Sequence, residues 1–203
     1  MKKSNNIKQT ASNYGVPIIR NISHDILVEK VKETNPDNIL EVGTAIGYSG
    51  IAMLENSNAK LMTIEHNLEY IKQAKQNFKN HKLTKRVKIK NGDCMVILAN
   101  LCSSKKYNEF FDFIFLDGPK AQYDNMLELL LLLLKPNGLL VADNVLFRGY
   151  VEEGTKPKSR RYKTIIERLN QFIEKCKNHP ELYNFELNNT EDGMIFVKKR
   201  AKW

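Results

Sequence analysis

Long apolar runs are missing from this chain. The longest, Leu129 to Leu134, is far shorter than the ~20 residues a membrane span needs. Cysteine is scarce: Cys94, Cys102 and Cys176 are odd in number and scattered. That excludes a disulfide framework and a thiolate zinc site, and predicts three reduced thiols of a cytoplasmic protein. Met1-Lys2-Lys3 is followed by polar residues rather than an apolar stretch, so no secretory signal is expected. No repeat or low-complexity linker divides the 203 residues, and a single domain over residues 1–203 is expected. Acidic residues are outnumbered, 23 against 32 Lys and Arg, for a net charge of +9. Such a surplus suits a polyanionic partner such as nucleic acid, and equally fits a Lys- and Asn-enriched composition. The stretch from Lys72 to Lys90 contains no acid. It reads either as a nucleic-acid-facing patch or as a solvated helix face.

What is present is an alternation of short apolar runs and amphipathic segments. Ile22 to Val31 has helical spacing, with Ser23 as a candidate N-cap. Strands are expected at Ile39–Val42, Lys60–Ile64, Val87–Lys90, Phe111–Leu116 and Leu139–Ala142. Helices are expected between them, at Tyr48 to Asn56, Leu68–Phe78, Met95–Leu101 and Tyr123–Leu134, the last stopped by Pro136 and Gly138. A basic loop follows from Phe147 to Lys163, then a helix whose apolar face carries Ile165, Ile166, Leu169, Phe172, Ile173 and Cys176. Tyr183–Leu187 and Met194–Val197, joined by Asn188 to Gly193, form a hairpin. Five strand–helix alternations predict an α/β, doubly wound, Rossmann-like fold: five parallel strands, a C-terminal antiparallel hairpin, and helices on both faces.

In such a sheet ligands bind beyond the carboxyl ends of the strands. Glu41, Glu65, Asp93, Asp117 and Asp143 all fall there. Gly43-Thr44-Ala45-Ile46-Gly47 bends the chain from the first strand into a helix N-terminus. Its spacing is G-x-x-x-G, not the G-x-G-x-x-G of dinucleotide sites, which disfavours a nicotinamide dehydrogenase. Glu41 beside the turn would repel a pyrophosphate and suits a cationic sulfonium. Glu65 is placed for ribose hydroxyls, and Asp93 for an adenine edge or simply for capping the next helix. S-adenosylmethionine fits this set best. Asp117, Asp143 and Asn144 end strands expected to be neighbours, ~4.8 Å apart, so their oxygens are able to converge on Mg2+. Lys120 is a candidate base if its pKa is lowered.

With these residues in view, the chain resembles the Mg2+-dependent O-methyltransferases of the catechol and caffeoyl-CoA type. The matching segments are Ile39 to Ser49, Phe111 to Lys120, and Asp143-Asn144-Val145-Leu146. Within that family it is most similar to the bacterial tRNA 5-hydroxyuridine methyltransferases. The nearer likeness rests on Val16-Pro17-Ile18, Gln122-Tyr123, Asn144 to Gly149 and Pro157 to Arg161. Two features depart from the family pattern: a shorter segment before Val16, and Gly118-Pro119 where relatives often carry small alanines. The resemblance implies that Val16, Glu41, Gly43, Ser49, Glu65, Asp93 and Asp117 contact S-adenosylmethionine, with Ser49 on its methionine carboxylate. It implies that Asp117, Asp143 and Asn144 hold Mg2+, and that Lys120 and Asp117 are catalytic. Arg148, Arg160 and Arg161 would grip the anticodon stem-loop of tRNA, whose wobble 5-hydroxyuridine becomes 5-methoxyuridine. A homodimer and no membrane association are the expected state. The alternatives are an O-methyltransferase of a small catechol-like or phenolic acceptor, and an RNA-binding module that has kept only the fold.

Overall fold

The computed structural model describes residues 19–147, 149, 151 and 159–201. The chain divides into two compact units, one ending at Ile97 and the other beginning at Leu98. Their strands belong to a seven-stranded mixed sheet, the predicted α/β architecture.

The first unit opens with helix α1 (Asn21–Thr34). Ser23 is not its cap: Arg20 is the N-cap residue, without a side-chain cap, and Ser23 lies buried inside the helix with Leu27 and Val31. The buried stripe therefore runs through positions 23, 27 and 31, and Ile22, expected on the apolar face, is 51 % exposed. Strand β1 (Asn38–Val42) leads through the glycine turn into helix α2 (Tyr48–Glu55). Then come strand β2 (Lys60–Glu65), helix α3 (Leu68–Asn80), strand β3 (Val87–Asn91) and helix α4 (Cys94–Cys102), whose C-terminal part continues past Ile97. β1 pairs with β2 and β2 with β3, both in parallel. Ile39, Leu40 and Val42 are fully buried, as their continuous apolar pattern requires. Helix α3 starts at Asn67, whose Oδ1 accepts the Glu69 and Tyr70 amides at 2.9 and 3.1 Å. It buries Ile71, Ala74 and Phe78, an i, i+3, i+7 stripe. Arg86 is not part of any cationic surface: its guanidinium donates to the carbonyls of Ala59, Leu54 and Ser57 at 2.9, 2.9 and 2.7 Å.

The second unit contains strand β4 (Phe111–Leu116), helix α5 (Tyr123–Leu133), strand β5 (Leu134–Asp143), helix α6 (Arg160–Asn178) and the hairpin β6 (Leu182–Asn188) and β7 (Met194–Lys199). β4 and β5 are parallel, while β5–β7 and β6–β7 are antiparallel. Pro136 and Gly138 do not separate helix from strand. β5 starts directly after α5, and the register jumps from Phe111↔Leu134 to Phe113↔Leu139. Residues 135–138 are thus an irregularity within the strand, relieved by Asn137 at φ 63°. The predicted basic loop ends four residues early, because Ser159 caps α6 by accepting the Tyr162 amide. Arg160 and Arg161 therefore occupy the first helical turn.

The last four carbonyls of α5 all find partners. Leu130 O accepts the Leu134 amide, Leu132 O the Glu109 amide, and Leu133 O the Phe110 amide. Leu131 O is served by Lys199 Nζ at 2.7 Å. The same ammonium reaches Leu134 O at 3.0 Å and Glu109 Oε1 at 2.9 Å. Lys199 is only 2 % exposed, yet all three of its donors are used. The cysteines are free thiols, and burial pushes the thiol of Cys176 well up. No described helix is long and apolar enough to cross a membrane.

Candidate functional site

The turn after β1 is built from positive φ angles: Gly43 at 101°, Ala45 at 43° and Gly47 at 83°. Gly43 and Thr44 both donate their amides to Ile64 O, at 3.0 and 3.1 Å, which pins the turn to the end of β2. Gly47 is the N-cap of α2, and the first intrahelical bond runs from Ile51 N–H to Gly47 O at 3.0 Å. The amides before Ile51 are the helix-terminal donors that suit an anion. A Cβ at Gly47 would sit 3.0 Å from two carbons of the Phe78 ring, in a backbone conformation that β-branched residues avoid. Gly47→Val is expected to cost ~3 kcal/mol of unfolding free energy by urea denaturation. A loss below ~0.5 kcal/mol would show that the turn relaxes freely.

Glu41 is fully buried, and its oxygens already have donors inside the first unit. Ser49 Oγ donates to Oε1 at 2.5 Å and Thr63 Oγ1 to Oε2 at 2.6 Å. Thr63 lies opposite Glu41 in the β1–β2 register. The carboxylate thus has hydroxyl donors from within the first unit and braces the helix start against two strands. Ser49 gives its one hydroxyl proton to Glu41 here, and beside it the backbone amides of the first α2 turn are further donors suited to a ligand carboxylate. Thr63 was missed by sequence reasoning. Its only signal is a hydroxyl in an otherwise apolar strand.

Glu65 is buried at the end of β2, and three amides converge on it. Ala45 N–H donates to Oε2 at 3.0 Å; His66 and Asn67 N–H donate to Oε1 at 2.9 Å. A carboxylate has about four acceptor positions, so about one remains for a ribose hydroxyl. Asp93 caps α4, its Oδ1 accepting the amides of Met95 and Val96 at 2.9 and 3.1 Å. The capping role foreseen as its alternative is thus present, and Oδ2 takes no part in it.

In the second unit Asp117 follows β4 and Asp143 ends β5. Lys120, on the 3-10 turn Lys120–Gln122, donates to Asp117 Oδ1 at 2.7 Å. Asp143 is 1 % exposed; its Oδ1 accepts the Asn144 amide at 2.8 Å, and its Oδ2 is buried without a hydrogen-bond partner among the described residues. Burial, then the Asp117 charge, pushes the Asp143 carboxyl up to about 7, against the pull of Lys120. Asn144 follows in a left-handed conformation at φ 57°. Burial works against the charge on Lys120, but Asp117 outweighs it and the ammonium is held well above its usual range. The base role was expected of a Lys120 whose pKa is lowered by the metal and by desolvation; with Asp117 as its partner the shift runs upward, and desolvation alone does not outweigh it. Beneath the cluster, the buried hydroxyl of Tyr123 points between Leu116 O and Asp143 O, at 3.1 and 3.2 Å, and so fixes the ends of β4 and β5 relative to each other.

Asp143 Oδ2 tests whether a divalent cation suits these residues. An unserved buried carboxylate oxygen beside a second carboxylate is costly without a cation. The donors are hard oxygens, as Mg2+ prefers. Among the described residues no group of three or more His, Cys, Asp and Glu is arranged to bind a metal, so a cation held by Asp117 and Asp143 would need Asn144 and non-protein oxygens as further ligands. Arg160 and Arg161 are exposed. Val16 and Arg148, expected at the donor and tRNA sites, lie outside the described residues.

A family model described as O-methyltransferase matches residues 6–200. A catechol O-methyltransferase of Niastella koreensis is 35% identical over 136 residues, 64% of this chain and 61% of that protein. Caffeoyl-CoA O-methyltransferase 2 of Petunia hybrida is 29% identical over 134 residues, 65% of this chain and 55% of the relative. The chain thus spans under two thirds of the length of the curated relatives it matches. Among solved structures, a Staphylococcus aureus protein assigned as a caffeoyl-CoA O-methyltransferase superposes with a TM-score of 0.87 at 29% identity, covering 97% of this chain and 91% of that one. A Bacillus cereus O-methyltransferase solved with SAH shares the fold, with a TM-score of 0.85 at 24% identity over 98% and 91%.

Proposed function

The chain belongs to the O-methyltransferase family, and from that premise we propose that it transfers a methyl group from S-adenosylmethionine to an acceptor hydroxyl held near Mg2+. The donor belongs to the first unit. Glu65 offers an acceptor position to the ribose, and the first-turn amides of α2 meet the methionine carboxylate. Gly43 admits close backbone approach.

The observation that carries the metal reading is Asp143 Oδ2, buried and unserved, with Asp117 as the neighbouring charge. Asp117, Asp143 and Asn144 would hold the cation. A cation held there would supply Lewis acidity toward the acceptor oxygen. Lys120 keeps Asp117 in place and, as an ammonium, is a proton donor. To accept the hydroxyl proton it must first give up one of its own to solvent, which its pairing with Asp117 opposes. Tyr123 holds the two strand ends in register throughout.

The acceptor we propose is 5-hydroxyuridine at the tRNA wobble position. Support comes from Arg160 and Arg161, two exposed cations in the first turn of α6, a turn with no acidic residue. Cations at a helix N-terminus oppose the macrodipole by ~0.3–1 kcal/mol each, a cost that an anionic partner would offset. Arginine's fork of donors suits phosphates and bases. The relatives named for catechol and caffeoyl-CoA support a second reading, a small catechol-like or phenolic acceptor.

Labelled S-adenosylmethionine, offered with hydroxyuridine-containing tRNA or with catechol, separates the two. Label is expected in tRNA, and EDTA is expected to abolish its transfer. Methylation of catechol but not tRNA would overturn the acceptor, and an EDTA-insensitive rate would overturn the metal. Arg160→Ala with Arg161→Ala is expected to weaken tRNA binding and lower the slope of log affinity against log salt by about 2, leaving SAH affinity unchanged.

A further inference from the structure

Between α3 and β3 lies a cleft of about 610 Å3, lined by Leu68, Ile71, Phe78, Val87 and Ile89 and rimmed by Lys72, Lys75 and Lys79. Its size falls within the ~300–1,000 Å3 of small-ligand pockets. The cleft exists because α3 leaves part of β3 uncovered: Val87 and Ile89 remain half-buried, and Leu68 at the mouth is 69 % exposed. The three lysines follow one another at i, i+3 and i+7 and so line one face of α3. All three are exposed, and none forms an ion pair among the described residues. Between Lys72 and Lys90 there is no acid to neutralise them. Arg86, the one arginine of that stretch, is already committed to three backbone carbonyls.

We propose that this cleft binds a free amphipathic anion, an acyl or aryl body ending in a carboxylate or sulfonate. The two halves of the site demand this combination. A neutral apolar ligand would cover Val87, Ile89 and Leu68 but leave three mutually repelling ammonium groups without a counter-charge. A phosphate backbone would serve the lysines and leave the apolar floor facing water. One molecule with an apolar body and a single anionic end satisfies both. Phe78 forms the back of the cleft, and its far edge packs on Gly47 and Gly50, so the floor is rigid.

The probe is 1-anilinonaphthalene-8-sulfonate, compared with its neutral counterpart N-phenyl-1-naphthylamine. The anion is expected to bind saturably at one site. Replacing Lys72→Gln, Lys75→Gln and Lys79→Gln together should weaken it about tenfold, at ~0.5 kcal/mol per lysine, and leave the neutral dye unchanged. These side chains are exposed, so the variant should keep its fold, as circular dichroism will report. Because a dye is able to enter other apolar sites, a second measurement uses the unaltered protein. Monomeric laurate should displace the sulfonate dye and shift the amide resonances of Ile71, Val87 and Ile89. The proposal is overturned if the triple variant binds the sulfonate dye as the parent does, or if laurate moves none of those resonances. It is equally overturned if anionic vesicles bind while monomeric laurate does not.

Discussion

Asp143→Asn is expected to lower methyl transfer about a thousandfold, ~4 kcal/mol of transition-state stabilisation, without lowering the melting temperature. Both halves of that result follow from one atom. Asp143 Oδ2 is buried and has no hydrogen-bond donor among the described residues, and Asp117 adds a second negative charge nearby. In the absence of a cation the carboxylate is therefore a liability to the fold. An amide of the same shape keeps the bond from Asn144 N–H through its remaining oxygen and removes the desolvated charge. What it cannot do is serve as an anionic metal ligand. The check is the labelled methyl-transfer assay beside thermal unfolding in EDTA. A drop in melting temperature comparable to the loss of a core contact would show that Asp143 acts structurally, and the metal reading would lose its main support. Asp143→Ala leaves a cavity and the Asn144 amide unpaired, and is the less informative variant.

Lys199→Met is expected to cost ~3 kcal/mol of stability, or about 10 °C in melting temperature for a chain of this size. The ammonium closes two otherwise exposed ends: the Leu131 carbonyl in the last turn of α5, and the Leu134 carbonyl where β5 begins. A positive charge there also complements the helix C-terminus. Methionine fills much of the space but leaves both carbonyls unserved and Glu109 without its cation. Glu109 is 30% exposed and can rehydrate, which places the estimate at the lower end of the range for broken buried pairs. Lys198 is the internal control. It is exposed on the opposite face of the same strand, and Lys198→Met should change stability by less than ~0.5 kcal/mol. Equal effects from the two substitutions, measured by urea denaturation, would sink the assignment.

The contrast between Lys198 and Lys199 marks the limit of reading by pattern. Both stand in a run of cations that looks uniformly solvated, and β7 was expected to stop at Val197. The strand continues to Lys199 because a terminus of another helix supplies acceptors for it. Similarly, Ser23 looked like a cap and Ile22 like core, although the helix that contains them buries the first and exposes the second. Helical period was correct there, but its phase is set by what packs against the helix. Pro136 and Gly138 looked like a boundary and are instead absorbed as an irregularity inside β5.

The order of strands and helices, the glycine turn and the placing of acids at strand ends were determined by the sequence itself, because they depend on short-range periodicity and on backbone conformations that few residues tolerate. Which partner each polar group takes was decided only in the tertiary structure. Glu41 finds Thr63 22 positions away and Ser49 eight positions away, so its oxygens have hydrogen-bond donors from within the protein. Lys120 finds Asp117, which favours its charged form, while one oxygen of Asp143 has no donor among the described residues. Burial and hydrogen bonding are properties of residues brought together from distant positions, and no local pattern carries them.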